Sequence, residues 1–270
     1  MKSRIIPSSL NLSEDKLINA VKVKFAQYLK FIGCKYIDFP EKILLKFYNG
    51  LADKKPFIGQ LHIPNSDNEK CILTLDQIDC ITNKNDVIFH EFTHIFDYLI
   101  VNKNIPFDKR VSTLHYISEI RATYIEYCVR CNIKKLDNDI LLPSTTTVFS
   151  SIKFKQIQIC DEVIYYQDAL IERIKKPNVR DATDYNDMLV KLAYYMGFSL
   201  FIQKHTHIKI NSDDIIRLLS VRLGDSVERY FALKDLIPLD FLPISEDILH
   251  LAKDTETVMK NHYIDKFITK

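Results

Sequence analysis

A chain of 270 residues, 47% hydrophobic and 27% charged, is long enough for one large or two small domains and has an ordinary globular composition. A net charge of +2 offers no basic footprint for nucleic acid or an acidic membrane surface. With 5 glycines and no Gly-rich phosphate loop, nucleotide-binding folds and turn-rich all-β folds are both disfavoured.

Residues 1–11 carry two early positive charges but lack the apolar run of a secretory signal. Ser13 then precedes Glu14 and Asp15, and Leu17, Ile18, Val21, Phe25, Leu29 and Ile32 recur at helical spacing up to Gly33. This predicts an amphipathic helix with an N-cap, an acidic first turn and a glycine stop. Residues 42–48 (KILLKFY), 56–63 (PFIGQLHI) and 70–75 (KCILTL) read as short strands, separated by Asn49-Gly50 and by residues 64–68. The third is expected to present an exposed edge to which an extended peptide could pair. Helices are predicted over residues 87–101 and 113–132, with a break before Pro106. Pro143-Ser144 marks a boundary, beyond which helices are predicted near 146–175, 184–204, 212–222, 226–235 and 245–267, the last starting at Ser245-Glu246-Asp247. The longest apolar stretches, near 87–101 and 189–202, are interrupted and too short to span a bilayer. The six cysteines show no repeating pattern, so free thiols in a reducing, cytoplasmic setting are expected.

The chemistry is concentrated in residues 87–96, VIFHEFTHIF, which contain H-E-x-x-H at His90, Glu91 and His94. Residues i and i+4 of a helix share one face, so two imidazoles can converge on one ion. Glu91 is rotated about 100° from His90, near a metal-bound water without being a ligand. Among 270-residue chains with 8 histidines, on the order of one in a hundred would carry the pattern by chance. The flanking Phe89, Phe92, Thr93, Ile95 and Phe96 are all uncharged, as a helix buried behind a metal site requires. A catalytic zinc needs a third protein ligand and leaves a position for water. Ile100 stands six residues after His94, which excludes the H-E-x-x-H-x-x-G-x-x-H pattern. Glu119, 25 residues after His94 on the next predicted helix, is the best candidate, followed by the small Ala122 and Thr123 on the same face. His115, one turn earlier, is the alternative third ligand or a group to polarise a substrate carbonyl.

HEFTH followed by SEIRATYIEY (118–127) resembles the gluzincin pattern of H-E-x-x-H with a downstream Glu. Among gluzincins it is similar to the ImmA/IrrE metallopeptidases, whose second motif is E-x-x-A-N. The resemblance spans about residues 70–130 and implies His90, His94 and Glu119 as zinc ligands and Glu91 as general base. Where that motif has Asn, this chain has Thr123, which offers a ligand a weaker hydrogen bond.

Other polar residues have blander readings. Asp97 is either a support for His94 or a solvated, capping carboxylate, and Glu126 reads as a surface carboxylate. Tyr98, Tyr116 and Tyr124 are candidate oxyanion donors that packing explains as well. Cys128 and Cys131 form a lone C-x-x-C inside a helix. His205 and His207 flank a helix end, and the Lys153/Lys155 and Lys175/Lys176 pairs read as solvated faces. The fold expected is α+β: a zincin-like domain over 1–142, with a small sheet and paired metal-binding helices, then an all-helical region over 143–270. The function expected is a peptidase with one Zn2+ per chain acting on a protein or peptide, with no nucleic acid or membrane partner. A zincin-fold regulatory or binding protein without turnover, and a helical interaction module with an accidental H-E-x-x-H, are the rival classes.

Overall fold

The computed structural model describes residues 13–49, 59–64, 66, 68–82, 85–136, 140–150, 155–175 and 182–268. Helix α1 (Glu14–Phe31) buries Leu17, Val21, Phe25, Tyr28 and Leu29, the stripe its spacing predicts. Ser13 caps it through its backbone carbonyl, which accepts from the Lys16 and Leu17 N–H groups, and not through its side chain. Gly33, at φ 73°, turns the chain out of the helix. Of the N-terminal signal reading, residues 1–11 lie outside the described residues, as do Gly50 and residues 51–58.

Strands β1 (Ile43–Tyr48), β2 (Gln60–His62) and β3 (Cys71–Asp76) form one sheet in the order β1-β3-β2, with β3 parallel to β1 and antiparallel to β2. The edge expected over residues 70–75 is therefore corrected. That run is the central strand, with Cys71, Leu73 and Leu75 facing the core and both its ladders occupied. Among the described residues the edge beside it belongs to short β2, the least apolar of the three strands. Asp76 ends β3 and caps a short helix, α2 (Gln77–Ile81), by accepting from the Ile78 N–H at 2.8 Å.

Helix α3 (Asp86–Ile95) runs on into a π-helical stretch, Phe96–Val101. Asn102 fixes that stretch: its amide donates to the Asp97 carbonyl and its Oδ1 accepts from the distant Ile244 N–H. Helix α4 (Phe107–Arg130) starts six residues earlier than predicted, because Pro106 supplies extended backbone that launches it. The link between the two helices is correspondingly short.

The all-helical reading of the second half is also corrected. Strands β4 (Thr147–Ser150) and β5 (Lys155–Gln158) pair as an antiparallel hairpin where a helix over 146–175 was expected. Val148 and Ile157 are its cross-strand pair and both are buried, which a β-branched run achieves better as a strand. Helices α5 (Ile159–Lys175), α6 (Ala182–His205), α7 (Asp213–Leu223), α8 (Ser226–Ala232, extended by a 3-10 turn to Asp235) and α9 (Glu246–Phe267) follow. The Ser245 hydroxyl caps α9 by accepting from Ile248 N–H. The fold is thus mixed α+β, dominated by helix.

Two apolar cores result. One joins α1, β3, α3 and part of α4 with Val148, Ile157, Phe198, Phe201 and Phe241. The other joins α6 to α9 with Tyr98, Leu114, Ile117 and Ile120 from the earlier helices. Both draw residues from each side of Pro143. Helix α6 links them, and Gly197 lets it lie directly on α4. A Cβ there would fall 2.4 Å from the Ile120 carbonyl oxygen and 2.8 Å from Thr123 Cβ. No helix among the described residues is long and apolar enough to cross a membrane.

Candidate metal centre

Helix α3 is buried on most sides, so its two histidines face neither solvent nor random core. One turn apart, they point across the seam at α4. His90, His94 and Glu119 each offer a ligand atom, all within 4.8 Å of one another. His90 Nε2 lies 3.3 Å from Glu119 Oε2, and His94 Nε2 lies 3.6 Å from Glu119 Oε1. Oε2 is buried and forms no aligned hydrogen bond. A carboxylate with one oxygen toward each of two imidazole nitrogens, the one toward His90 without an aligned hydrogen bond, fits a divalent cation that prefers nitrogen and oxygen ligands. His115, the alternative ligand, is not in this group, though its charge acts on both His94 and Glu119.

Each imidazole is held from behind by its Nδ1. His90 Nδ1 lies 2.9 Å from Glu126 Oε2, and Glu126 is itself paired to Arg130, whose Nε meets Asp86 at 3.1 Å. Glu126 is therefore not the surface carboxylate expected: seven residues after Glu119, two helical turns on, it returns to the same face. His94 Nδ1 lies 2.8 Å from Ser118 Oγ. Ser118 also lies against Asp97, whose carboxyl is raised above its ordinary range by burial despite the opposing pull of Arg121 and Ser118. Asp97 is neither solvated nor capping. It is wholly buried and its Oδ1 sits 2.8 Å from Arg121 Nη1. The Arg121 guanidinium is covered by the Phe241 ring at 4.4 Å. Nδ1 contacts of this kind leave Nε2 free to ligate and fix the plane of the ring.

The electrostatics follow from depth. Burial opposes ionisation of Glu119 and Glu126, but the imidazoles, and Arg130 at Glu126, hold both carboxyls near 2. Burial also works against a charged His90, yet Glu119 and Glu126 outweigh it and raise its pKa well above the ordinary range. At His94 burial prevails and lowers the pKa to about 4. Glu91, 5% exposed, is raised to about 7 by burial, opposed by His90 and by a hydrogen bond from the Leu61 N–H of β2. The backbone at Gly59, just ahead of β2, comes so close that a Cβ would stand 2.9 Å from Glu91 Cγ.

The remaining sequence candidates fall outside the cluster. Among the described residues the buried Thr123 hydroxyl has no hydrogen-bond partner, so it supports no ligand; its Cβ lies against Gly197 at the α6 crossing. Cys128 and Cys131 are free, buried thiols, and His205 is a core histidine bonded to Tyr124 and to the Ile140 carbonyl. Lys153 and Lys176 lie outside the described residues. Sequence reasoning missed Ser118 as a support and Tyr194 of α6, whose ring meets His90 at 6.3 Å between centroids. For Ser118 the signal was present, since it adjoins Glu119 and faces α3; for Tyr194 no local signal exists. Comparison with known proteins returns nothing that would extend this description: no family model, no curated protein and no solved structure matches the chain.

Proposed function

We propose that this chain is a zinc-dependent peptidase with a zincin-like metal domain of gluzincin type, acting on a protein or peptide in the cytoplasm. The observation that carries the reading is the convergence of His90, His94 and Glu119 beside a buried Glu91. His90 and His94 would give Nε2 and Glu119 a carboxylate oxygen to one zinc per chain. Bound there, zinc supplies Lewis acidity for a carbonyl and for water. Glu91, kept from full ionisation by burial, is poised near neutrality to take a proton from the attacking water and return it to the leaving amine. Its position is set from β2, through the Leu61 N–H and the bare backbone of Gly59. Among the described residues β2 is an edge strand, and its Leu61 N–H meets that carboxylate, which supports an extended peptide as the substrate class.

The test combines metal content with a proton-acceptor deletion. Purified protein should carry about one zinc, lost in the His90→Ala/His94→Ala double variant. Glu91→Gln should keep zinc and melting temperature but lose about 10²–10⁴-fold in chelator-sensitive hydrolysis of labelled casein. Stoichiometric zinc in the double variant would sink the site. Zinc with no hydrolysis of any protein would leave the regulatory, non-catalytic reading.

A further inference from the structure

A cavity of about 720 Å³, within the range of small-molecule pockets, lies on the far side of α6 from the metal cluster. Ser199, Ile202, Gln203 and Thr206 line it from α6, roughly 140–240° around that helix from Gly197, whose side rests on α4. Ile216 of α7, Phe231 of α8 and Lys234 of the following 3-10 turn complete it, with the chain between α6 and α7. That connecting chain is tied at both ends, so the cavity is built into the fold. Thr206 Oγ1 accepts from the Ile208 N–H at 3.0 Å, and the Asn211 carbonyl accepts from Gln167 Nε2 at 3.0 Å.

The hydroxyls of the lining are spent on the protein itself. Ser199 Oγ donates to the Tyr195 carbonyl at 2.7 Å, Thr206 Oγ1 donates to the Ile202 carbonyl at 2.9 Å, and Ser212 Oγ lies 3.0 Å from the Tyr195 hydroxyl. What is left is rich in donors. The Lys234 side chain is only 11% exposed; its ammonium stands 5.0 Å over the Phe231 ring and gives one of its three N–H groups to Asp235 at 2.7 Å. Among the described residues its other two N–H groups have no partner, nor have the Lys209 ammonium and the Gln203 amide. Against these donors the described lining holds a single carboxylate, exposed Asp213. Ile202 and Phe231 are buried and Ile216 partly so, which gives the cavity an apolar surface beside its cations.

We propose that this cavity is a binding site for a small amphipathic organic acid, its carboxylate against Lys234 and Lys209 and its apolar body against Ile202, Ile216 and Phe231. The donors select an anion: a carboxylate accepts short, charge-assisted bonds from ammonium groups, whereas a cationic ligand would meet mostly donors. The Phe231 ring holds the Lys234 charge at the cavity wall. The apolar surface selects a ligand with a hydrocarbon or aromatic body over an inorganic anion. No group of the metal cluster takes part, so the site stands or falls separately from the peptidase reading.

The deciding measurement is fluorescence titration of the full chain with two probes. One is 8-anilinonaphthalene-1-sulfonate, whose sulfonate stands in for a carboxylate; the other is N-phenyl-1-naphthylamine, the same rings without the anion. Wild type should bind about one equivalent of the sulfonate, about 10–100-fold more tightly than the neutral probe, as suits hydrogen bonds to charged groups. Lys234→Gln should bring the two affinities within about threefold of each other by weakening the sulfonate alone. Gln203→Trp, at an exposed position from which a ring fills the cavity, should keep the wild-type melting temperature and weaken both probes by about tenfold or more. Where Lys234→Gln does not melt cooperatively, exposed Lys209→Gln carries the charge test, with an expected loss of about two- to fivefold for the sulfonate alone. The proposal is overturned if wild type binds neither probe, binds both equally or prefers the neutral one. It is overturned equally if Gln203→Trp leaves sulfonate binding intact, or if the charge variants lower both affinities together.

Discussion

The two histidines of the cluster are the same group one helical turn apart, yet their surroundings are opposite. His90 leans on the Glu126–Arg130–Asp86 chain near the rim, where side chains keep 8–25% of their exposure. His94 leans on Ser118, Asp97 and Arg121, the last two with none. The rim side supports its ring by direct charge, and its pKa rises; the interior side supports its ring through a neutral hydroxyl, and burial drives its pKa down to about 4. Near water a carboxylate can touch an imidazole directly. Deep in the core the charge is set one residue back and neutralised by an arginine, because two unscreened charges beside a ligand would be too costly to bury.

Breaking the interior side should have the largest effect. Arg121→Ala strands the Asp97 carboxylate in the core and should cost about 3–5 kcal/mol in urea denaturation of the metal-free protein. Arg121→Met with Asp97→Asn should recover most of that, and a loss of under about 1 kcal/mol in the single variant would show that the pair is not a charged one.

Acid separates the two sides by sign. Glu126 falls in the folded state from its ordinary 4.5 to about 2, so its contribution is complete above pH 4.5 and disappears as pH falls toward 2. Asp97 is raised above 3.8, because burial outweighs Arg121 and Ser118, so ionising it disfavours the fold. Its contribution is therefore full below 3.8 and is lost as pH rises through its folded value. In metal-free protein, Glu126→Gln should flatten the acid loss by about 1–3 kcal/mol, whereas Asp97→Asn should steepen it. Parallel shifts in both variants would contradict the comparison.

The smaller effects concern zinc. Glu126→Gln should weaken zinc binding about 10–100-fold in chelator competition, despite making no contact with the ion. Ser118→Ala should weaken it by about tenfold or less, since Tyr98 and the π-helical turn still wall in the His94 ring. A larger loss for Ser118→Ala than for Glu126→Gln would invert the ranking.

Much of this site was legible because helix periodicity alone puts residues 90, 94 and 119 on facing stripes once two helices pair. The supports were less legible. Glu126 shares the stripe of Glu119, but its charge and proximity to the chain's many surface carboxylates gave no hint of depth. Asp97 stands where a π-helical turn shifts the register, so an α-helical wheel misplaces it. Arg121 looks like a solvent residue until Phe241, 120 positions later, is seen to cover it. The sheet was misread for a related reason: strand order is a tertiary property, and β3 is the most deeply buried of the three strands because it is central. At residues 147–158, spacing without partners could not distinguish a hairpin from a helix.

Phe241 holds φ at 58°, a left-handed conformation costly for a bulky side chain, and from there its ring reaches Tyr28, Phe96 and Arg121. During synthesis this stopper arrives late. At ordinary elongation rates the ribosome needs roughly 6–25 s to proceed from Glu119 to Phe241. Over that interval Asp97 and Arg121 lack their lid and water reaches the interior support of His94. A nascent chain therefore has His90, His94 and Glu119 long before the cluster they form is closed, and the moment of closure is set by Phe241.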